Sequence, residues 1–352
     1  MSEKKKIAII LFNLGGPDSL DAVKPFLFNL FYDPYIIRAP KYIRLLIAKY
    51  ISWRREETAK DIYRQIGGKS PILEQTQDQA YELEGFLNKQ HRHRYKVFVA
   101  MRYWHPFIDE VLEEIVTFSA DEILLLPLYP QFSTTTTKSF YTAWNKASPK
   151  PSSQVKTICC YPSNPGLIAA IARKLVAAYN EVETETRILF SAHGLPKSIV
   201  EAGDPYQSQV ELTVKEILRR ADLSDADYVI CYQSRVGPVE WLKPYTDEEI
   251  KRAGIDKRSV IIVPVAFVSE HSETLVELDI EYKHLARAAG VQTYKRIETV
   301  QTDVDFIKGL ANIVSHSIEG DKNIITDCDE LPCDQTRAGC PIRGGCSLFE
   351  KC

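Results

Sequence analysis

Eight short apolar runs, separated by turns and amphipathic stretches, constrain this chain more than any other feature. They are KIAIILFNL, YKVFVAMRY, EILLLPLY, VKTICCY, TRILFSAH, YVICYQS, SVIIVPVAF and VQTYKRI. The intervening segments include NPGLIAAIARKLVAAYNEV, YQSQVELTVKEILRRA and ETLVELDIEYKHLARAAG, all with helical spacing of apolar residues. Strand-length runs that alternate with helices imply βαβ units and parallel sheets, an α/β class. With 352 residues, 45% of them hydrophobic, the chain has globular composition and length for about two domains.

The runs repeat in order. IILFNLGGP resembles RILFSAHGLP, VAMRYWHP resembles ICYQSRVGP, and LLLPLYPQFS resembles IIVPVAFVSE. Two similar halves, each with a four-stranded parallel sheet flanked by helices, are therefore expected, joined near 161–165, where YPSNPG supplies turn chemistry. The expected divisions are 1–162, 163–322 and a cysteine-rich extension, 323–352.

Ligand sites of open α/β sheets lie beyond the carboxyl ends of the strands. In the first half those positions carry Asn13, Gly15, Arg102, Tyr103, Tyr129 and Gln131. In the second they carry His193, Gln233, Arg235, Glu270, His271 and Glu273. The segment VSEHSETLVELDIEY sets Glu273, Glu277 and Glu281 at i, i+4 and i+8, with Glu270 three residues earlier. On an α-helix these four carboxylates share one stripe, either a solvated face or a functional row that starts where a buried strand ends. Histidine with carboxylates suits metal binding or proton transfer near neutral pH. The sequence contains no H-E-x-x-H, no P-loop, no G-x-G-x-x-G and no G-x-S-x-G.

A net charge of −3 gives no electrostatic footprint for nucleic acid. No stretch reaches the ~18–20 apolar residues of a membrane span, and the basic-then-apolar start reads as a first strand rather than a secretory signal. A cytoplasmic chain is expected. Residues 30–57 mix Ile36, Ile37, Tyr42, Leu46, Tyr50 and Trp53 with Arg38, Lys41, Arg44, Lys49, Arg54 and Arg55. That mixture suits either a membrane surface or a packed helix with snorkelling cations.

FNLGGP, YRQIGGKSPI, MRYWHP, LYPQFS, LFSAHGLP, CYQSRVGPVEWLKP and PVAFVSEHSETLVELDIEY occur in this order. Together they resemble the ferrochelatase family, whose members insert Fe²⁺ into a porphyrin to form haem. The resemblance spans about residues 5–320 and implies two Rossmann-like halves around a central cleft. It implies that His193 and Glu273 bind the substrate metal or move protons, with His271 beside them. It implies a metal or proton path through Glu270, Glu277 and Glu281. Leu14, Trp241 and Phe267 match positions lining the porphyrin pocket, and Arg55, Tyr63 and Ser70 match propionate partners. Arg102, Tyr103 and Tyr129 match the side opposite the metal. Residues 30–57 resemble an apolar lip, implying peripheral contact with the inner face of a membrane and leaving room for a homodimer. A cobalt or nickel chelatase, or a porphyrin- or haem-binding protein without activity, is the alternative on this fold.

Five of the eight cysteines lie in the last 25 residues, CDELPCDQTRAGCPIRGGCSLFEKC. In a chain without a secretion signal, clustered thiols bind metal more often than they form disulfides. Family members with such an extension often carry a [2Fe–2S] cluster. The animal-type pattern places one ligand shortly after Y-P-Q, where this chain has Thr134 and no cysteine. The ligands implied here are Cys333, Cys340, Cys346 and Cys352, the last preferred to Cys328. Four thiolates also suit Zn²⁺.

Overall fold

The structure, a computed structural model, describes residues 4–148 and 154–327. Cys333, Cys340, Cys346 and Cys352 lie outside the described residues. The described chain packs as two compact units. One runs to Cys160 and resumes over Leu310–Thr326; the other is Tyr161–Gly309 with Asp327. These divisions stand beside the expected ones at 162 and 322.

The first unit holds β1 (Lys6–Asn13), α1 (Val23–Phe31), α2 (Lys41–Arg64), α3 (Ile72–Asn88), β2 (Arg94–Met101), α4 (Ile108–Phe118), β3 (Glu122–Pro127), α5 (Thr137–Ala147) and β4 (Gln154–Cys160). Its sheet runs β2-β1-β3-β4 and ends on β9 (Ile324–Thr326), all parallel. Ile9 pairs with Val97 on one side and Leu124 on the other. Residues 7–12 of β1 are fully buried, because a central parallel strand is covered on both faces. That explains the unbroken apolar run. The sheet has five strands rather than the expected four. β9 bonds to β4 through Thr157↔Ile324 and Ile158↔Ile325, covering an edge that would otherwise expose unpaired backbone groups.

The second unit holds α6 (Pro165–Asn180), β5 (Thr186–His193), α7 (Lys197–Glu201), α8 (Tyr206–Ala221), β6 (Tyr228–Gln233), α9 (Thr246–Ile255), β7 (Ser259–Pro264), a π-helix (Glu273–Glu281), α10 (Tyr282–Ala288) and β8 (Tyr294–Arg296). α11 (Val304–Glu319) begins here and finishes in the first unit. The sheet order is β6-β5-β7-β8, also all parallel. Counted from each unit's own first strand, both sheets share the order 2-1-3-4. The sequence repeat is thus a repeat of topology. Such an order reverses direction between its first and third strands, and ligands bind at that switch point. It lies beyond β1 and β3 in one unit, and beyond β5 and β7 in the other.

Candidate active site

In the second unit, β5 delivers His193 to the switch point. Its Nδ1 lies 2.7 Å from the Gly194 carbonyl, which can only accept, so Nδ1 carries the proton and Nε2 keeps its lone pair. Nε2 stands 3.7 Å from Glu273 Oε1. Gly194 is required here: a Cβ would sit 2.9 Å from the Gln233 carbonyl and 3.1 Å from Trp241 Cε3. The Trp241 ring therefore packs against the strand end beside His193, with its Nε1 donating to the Val236 carbonyl at 3.2 Å.

The loop after β7 supplies the other side. His271 Nδ1 accepts the Glu273 backbone N–H at 3.1 Å and lies 3.1 Å from Glu273 Oε2. Burial holds this imidazole below the ordinary histidine range, against the pull of the Glu273 charge. A neutral ring accepting at Nδ1 carries its proton on Nε2. Phe267 meets the His271 ring edge-on, with centroids 4.6 Å apart. His193, Glu273, His271, Phe267 and Trp241 thus gather at one strand-end site. Among the described residues no group of three or more His, Cys, Asp or Glu side chains forms a metal cage.

The acidic stretch is a π-helix rather than the expected α-helix, with the Tyr282 N–H bonded to the Glu277 carbonyl five residues back. Donors from outside the helix reach its carbonyls: Gln233 Nε2 to Glu273 O at 3.1 Å, and Tyr294 Oη to Leu278 O at 2.6 Å. These bonds offset the looser internal ladder. Glu277 accepts from Gln233 Nε2 at 3.0 Å, the Ser234 N–H at 2.9 Å, the Ser234 hydroxyl and Tyr282 Oη at 2.8 Å. Ser234 reaches it by adopting φ +64°, a left-handed conformation just past β6. A cavity of about 230 Å³ opens at this point, lined by Gln233, Ser234, Arg235, Asp247, Glu277 and Tyr282. Burial, then the charge on Glu277, raises Glu281 above the usual carboxylate range.

Glu270 does not join this row. Its carboxylate receives Arg296 Nη1 at 3.0 Å and the Thr299 N–H at 2.9 Å, while Arg296 also holds Asp279. Burial opposes ionisation of Glu270, but the Arg296 charge and these bonds hold it below the ordinary range. Spacing and the resemblance both set Glu270 on the row; an arginine 26 residues away redirects it. Ser234 and Tyr282 were missed as site residues, whereas Gln233 was expected at the end of its strand. Ser234 carried the same signal, its place just past β6.

In the first unit, Tyr103 N–H bonds to the Leu14 carbonyl at 3.0 Å and Arg102 N–H to the Asn13 carbonyl at 2.9 Å, so the ends of β1 and β2 sit together. Gly16 lies against Ser70, where a Cβ would come within 2.5 Å of the serine Cβ. Tyr63, Ser70 and Tyr103 are buried, whereas Leu14 and Tyr129 are half-buried. Tyr63 and Tyr103 share a cluster with Val23, Phe26 and Leu27. Arg55 stands over the Phe31 ring on α1, 5.9 Å from its centroid. Arg102 and Tyr103 both turn to Asp33.

The family model for ferrochelatase matches residues 6–318. The chain belongs to the ferrochelatase family. A ferrochelatase from Caulobacter vibrioides is 47% identical over 346 residues, 97% of this chain and 99% of that protein. One from a Wolbachia of Drosophila simulans is 52% identical over 313 residues, covering 88% and 98%. One from Rickettsia bellii is 50% identical over 315 residues, covering 88% and 87%. Among solved structures, SirB from Bacillus subtilis with Fe³⁺ superposes with a TM-score of 0.55 at 12% identity, covering 90% of this chain and 96% of that one. At that identity the likeness shows the fold alone. It agrees with the parallel-sheet α/β class expected for this ferrochelatase-family chain.

Proposed function

We propose that the protein inserts Fe²⁺ into a porphyrin, protoporphyrin IX in the reading favoured here, and so forms haem. The observation that carries this is the His193–Glu273 pair. A bare imidazole lone pair and a carboxylate oxygen 3.7 Å apart suit a cation in transit. Fe²⁺, here a substrate, exchanges water for Glu273 oxygen and His193 nitrogen. While not ligating the metal, His193 Nε2 accepts the pyrrole protons one at a time and passes each to solvent, as a general base. Phe267, Trp241 and Leu14 offer apolar surface to the macrocycle. Binding energy from such surface offsets ring distortion of roughly 1–5 kcal/mol. Arg55, Tyr63 and Ser70 supply partners for the substrate propionates, and Arg102, Tyr103 and Tyr129 face the ring from the side opposite the metal. Glu277, held in place by Gln233, Ser234 and Tyr282, acts as a fixed oxygen donor on the metal route. Glu281 is the protonatable member beyond it.

Purified protein, mixed with Fe²⁺ and porphyrin under anaerobic reducing conditions, should convert many equivalents of porphyrin. Binding of a single equivalent without turnover would leave a porphyrin-binding protein. Parallel runs with Co²⁺ and with coproporphyrin fix the metal and the substrate.

Contact of α2 with a membrane surface belongs to the same reading. No helix among the described residues is long and apolar enough to cross a membrane. Tyr42, Leu46 and Trp53 on α2 are 81%, 68% and 64% exposed, which supports an interfacial face. For the tail, the density of thiols supports a [2Fe–2S] cluster on Cys333, Cys340, Cys346 and Cys352. Anaerobically purified full-length chain should be reddish, with absorption that vanishes in Cys340→Ser. Colourless protein with stoichiometric zinc would overturn the cluster and leave the chelatase reading intact.

A further inference from the structure

Asp33 lies in the turn between α1 and α2, far in sequence from Arg102, Tyr103 and Ser139, whose side chains bind it. Its side chain is fully buried. Oδ2 accepts Arg102 Nη2 at 2.7 Å, Tyr103 Oη at 2.8 Å and the Ser139 hydroxyl, while Oδ1 accepts the Tyr35 N–H at 2.8 Å. The Asp33 carbonyl accepts the N–H groups of Ile36 and Ile37 at 3.1 and 2.9 Å. Tyr35 continues the link, its hydroxyl 2.8 Å from that of Thr142 on α5. One residue therefore fixes the turn leading into α2 and the end of β2.

The guanidinium of Arg102 is tethered along one edge, Nη2 to Asp33 and Nε to Ser139 at 2.8 Å. Among the described residues Nη1 has no hydrogen-bond partner, and the side chain is 23% exposed. An arginine held this way loses little freedom when its remaining donors meet a carboxylate. Its buried partner also prevents it from folding back into the protein.

We propose that Asp33 is a positioning residue. It fixes the free edge of Arg102 for an anionic group of the substrate, and it joins that guanidinium to the turn that starts the exposed α2 face. This rests on the reading of Arg102 as a substrate contact. Asp33→Asn keeps an acceptor for the Tyr35 N–H but sets an amide against Arg102 and removes the charge that orients it. A charge-assisted hydrogen bond corresponds to about 10- to 100-fold in affinity.

The test is a double-mutant cycle in the full chain, with porphyrin KM, Fe²⁺ KM and kcat measured anaerobically and porphyrin Kd measured by fluorescence quenching. Arg102→Ala should raise porphyrin KM and Kd about tenfold or more. Asp33→Asn should do the same while Fe²⁺ KM stays put, and amide exchange at Tyr35 should change little because an oxygen still accepts there. The double variant should be no worse than Arg102→Ala alone, within about twofold. Effects that multiply would overturn the proposal, as would equal changes in all three kinetic constants. If Arg102→Ala leaves porphyrin affinity unchanged, the reading of Arg102 fails, and the inference with it. Should Asp33→Asn not fold, Ser139→Ala removes one shared partner without stranding a charge. It should raise porphyrin KM by a smaller factor, and an unchanged value overturns the proposal.

Discussion

His193 turns its protonated Nδ1 to the Gly194 carbonyl at 2.7 Å and leaves Nε2 open, 3.7 Å from Glu273 Oε1. The two groups come from strand ends 80 residues apart in sequence, yet both are anchored through backbone. Gly194 N–H bonds the Gln233 carbonyl at 2.9 Å, and Gln233 Nε2 bonds the Glu273 carbonyl at 3.1 Å. A shift at β6 would move both members of the pair.

Glu273→Gln should reduce turnover more than Glu277→Gln. Glu273 faces the imidazole lone pair, whereas Glu277 is held by Gln233, Ser234 and Tyr282. In Glu277→Gln an amide group replaces an oxygen that now accepts, which costs about 1–3 kcal/mol of stability. A lowered Tm with partial activity is expected, against a near-native Tm and little activity for Glu273→Gln. Identical complete losses would argue for one metal site instead of a row.

Arg296→Met should destabilise the second unit by about 3–5 kcal/mol, because it strands buried Glu270 beside Asp279. The loss depends on pH. Glu270 titrates below its ordinary value in the native chain, so its contribution is present above the unfolded pKa and fades as pH falls through the lower folded one. Wild-type stability should decline on acidification toward pH 4. The gap between wild type and Arg296→Met, followed by urea unfolding, should narrow over the same interval. A gap independent of pH would remove Glu270 as the cause.

Replacing Tyr42, Leu46 and Trp53 together by serine should weaken co-sedimentation with vesicles containing anionic lipid. Exposed positions contribute within about 0.5 kcal/mol each, so Tm should change little. Unaltered vesicle binding would mean that this face meets something other than lipid.

The central strands were legible because β1, β3, β5 and β7 are covered on both faces and so read as unbroken apolar runs. The candidate site's two histidines could be placed for a related reason, since His193 and His271 follow such runs at the carboxyl end. β9 was not, because three residues are too few to show a period. Nor was the π-helix. Carboxylates spaced i, i+4 fit an α-helix equally well, and the donors that favour the wider turn, Gln233 and Tyr294, lie elsewhere in the chain. Glu270 and Asp33 were obscured in the same way. One falls within an acidic stripe and the other within an apolar lip in sequence, but in the fold Arg296 and Arg102 stand against them.

His193 is proposed to do both the proton and the metal work of insertion. The most direct measurement is multiple-turnover insertion of Fe²⁺ into porphyrin by His193→Ala, alongside porphyrin Kd and Tm. The expected outcome is a folded protein that binds porphyrin with near-native affinity and turns over roughly 10²–10⁴-fold more slowly, or not at all. A folded His193→Ala protein with near-normal turnover would contradict it.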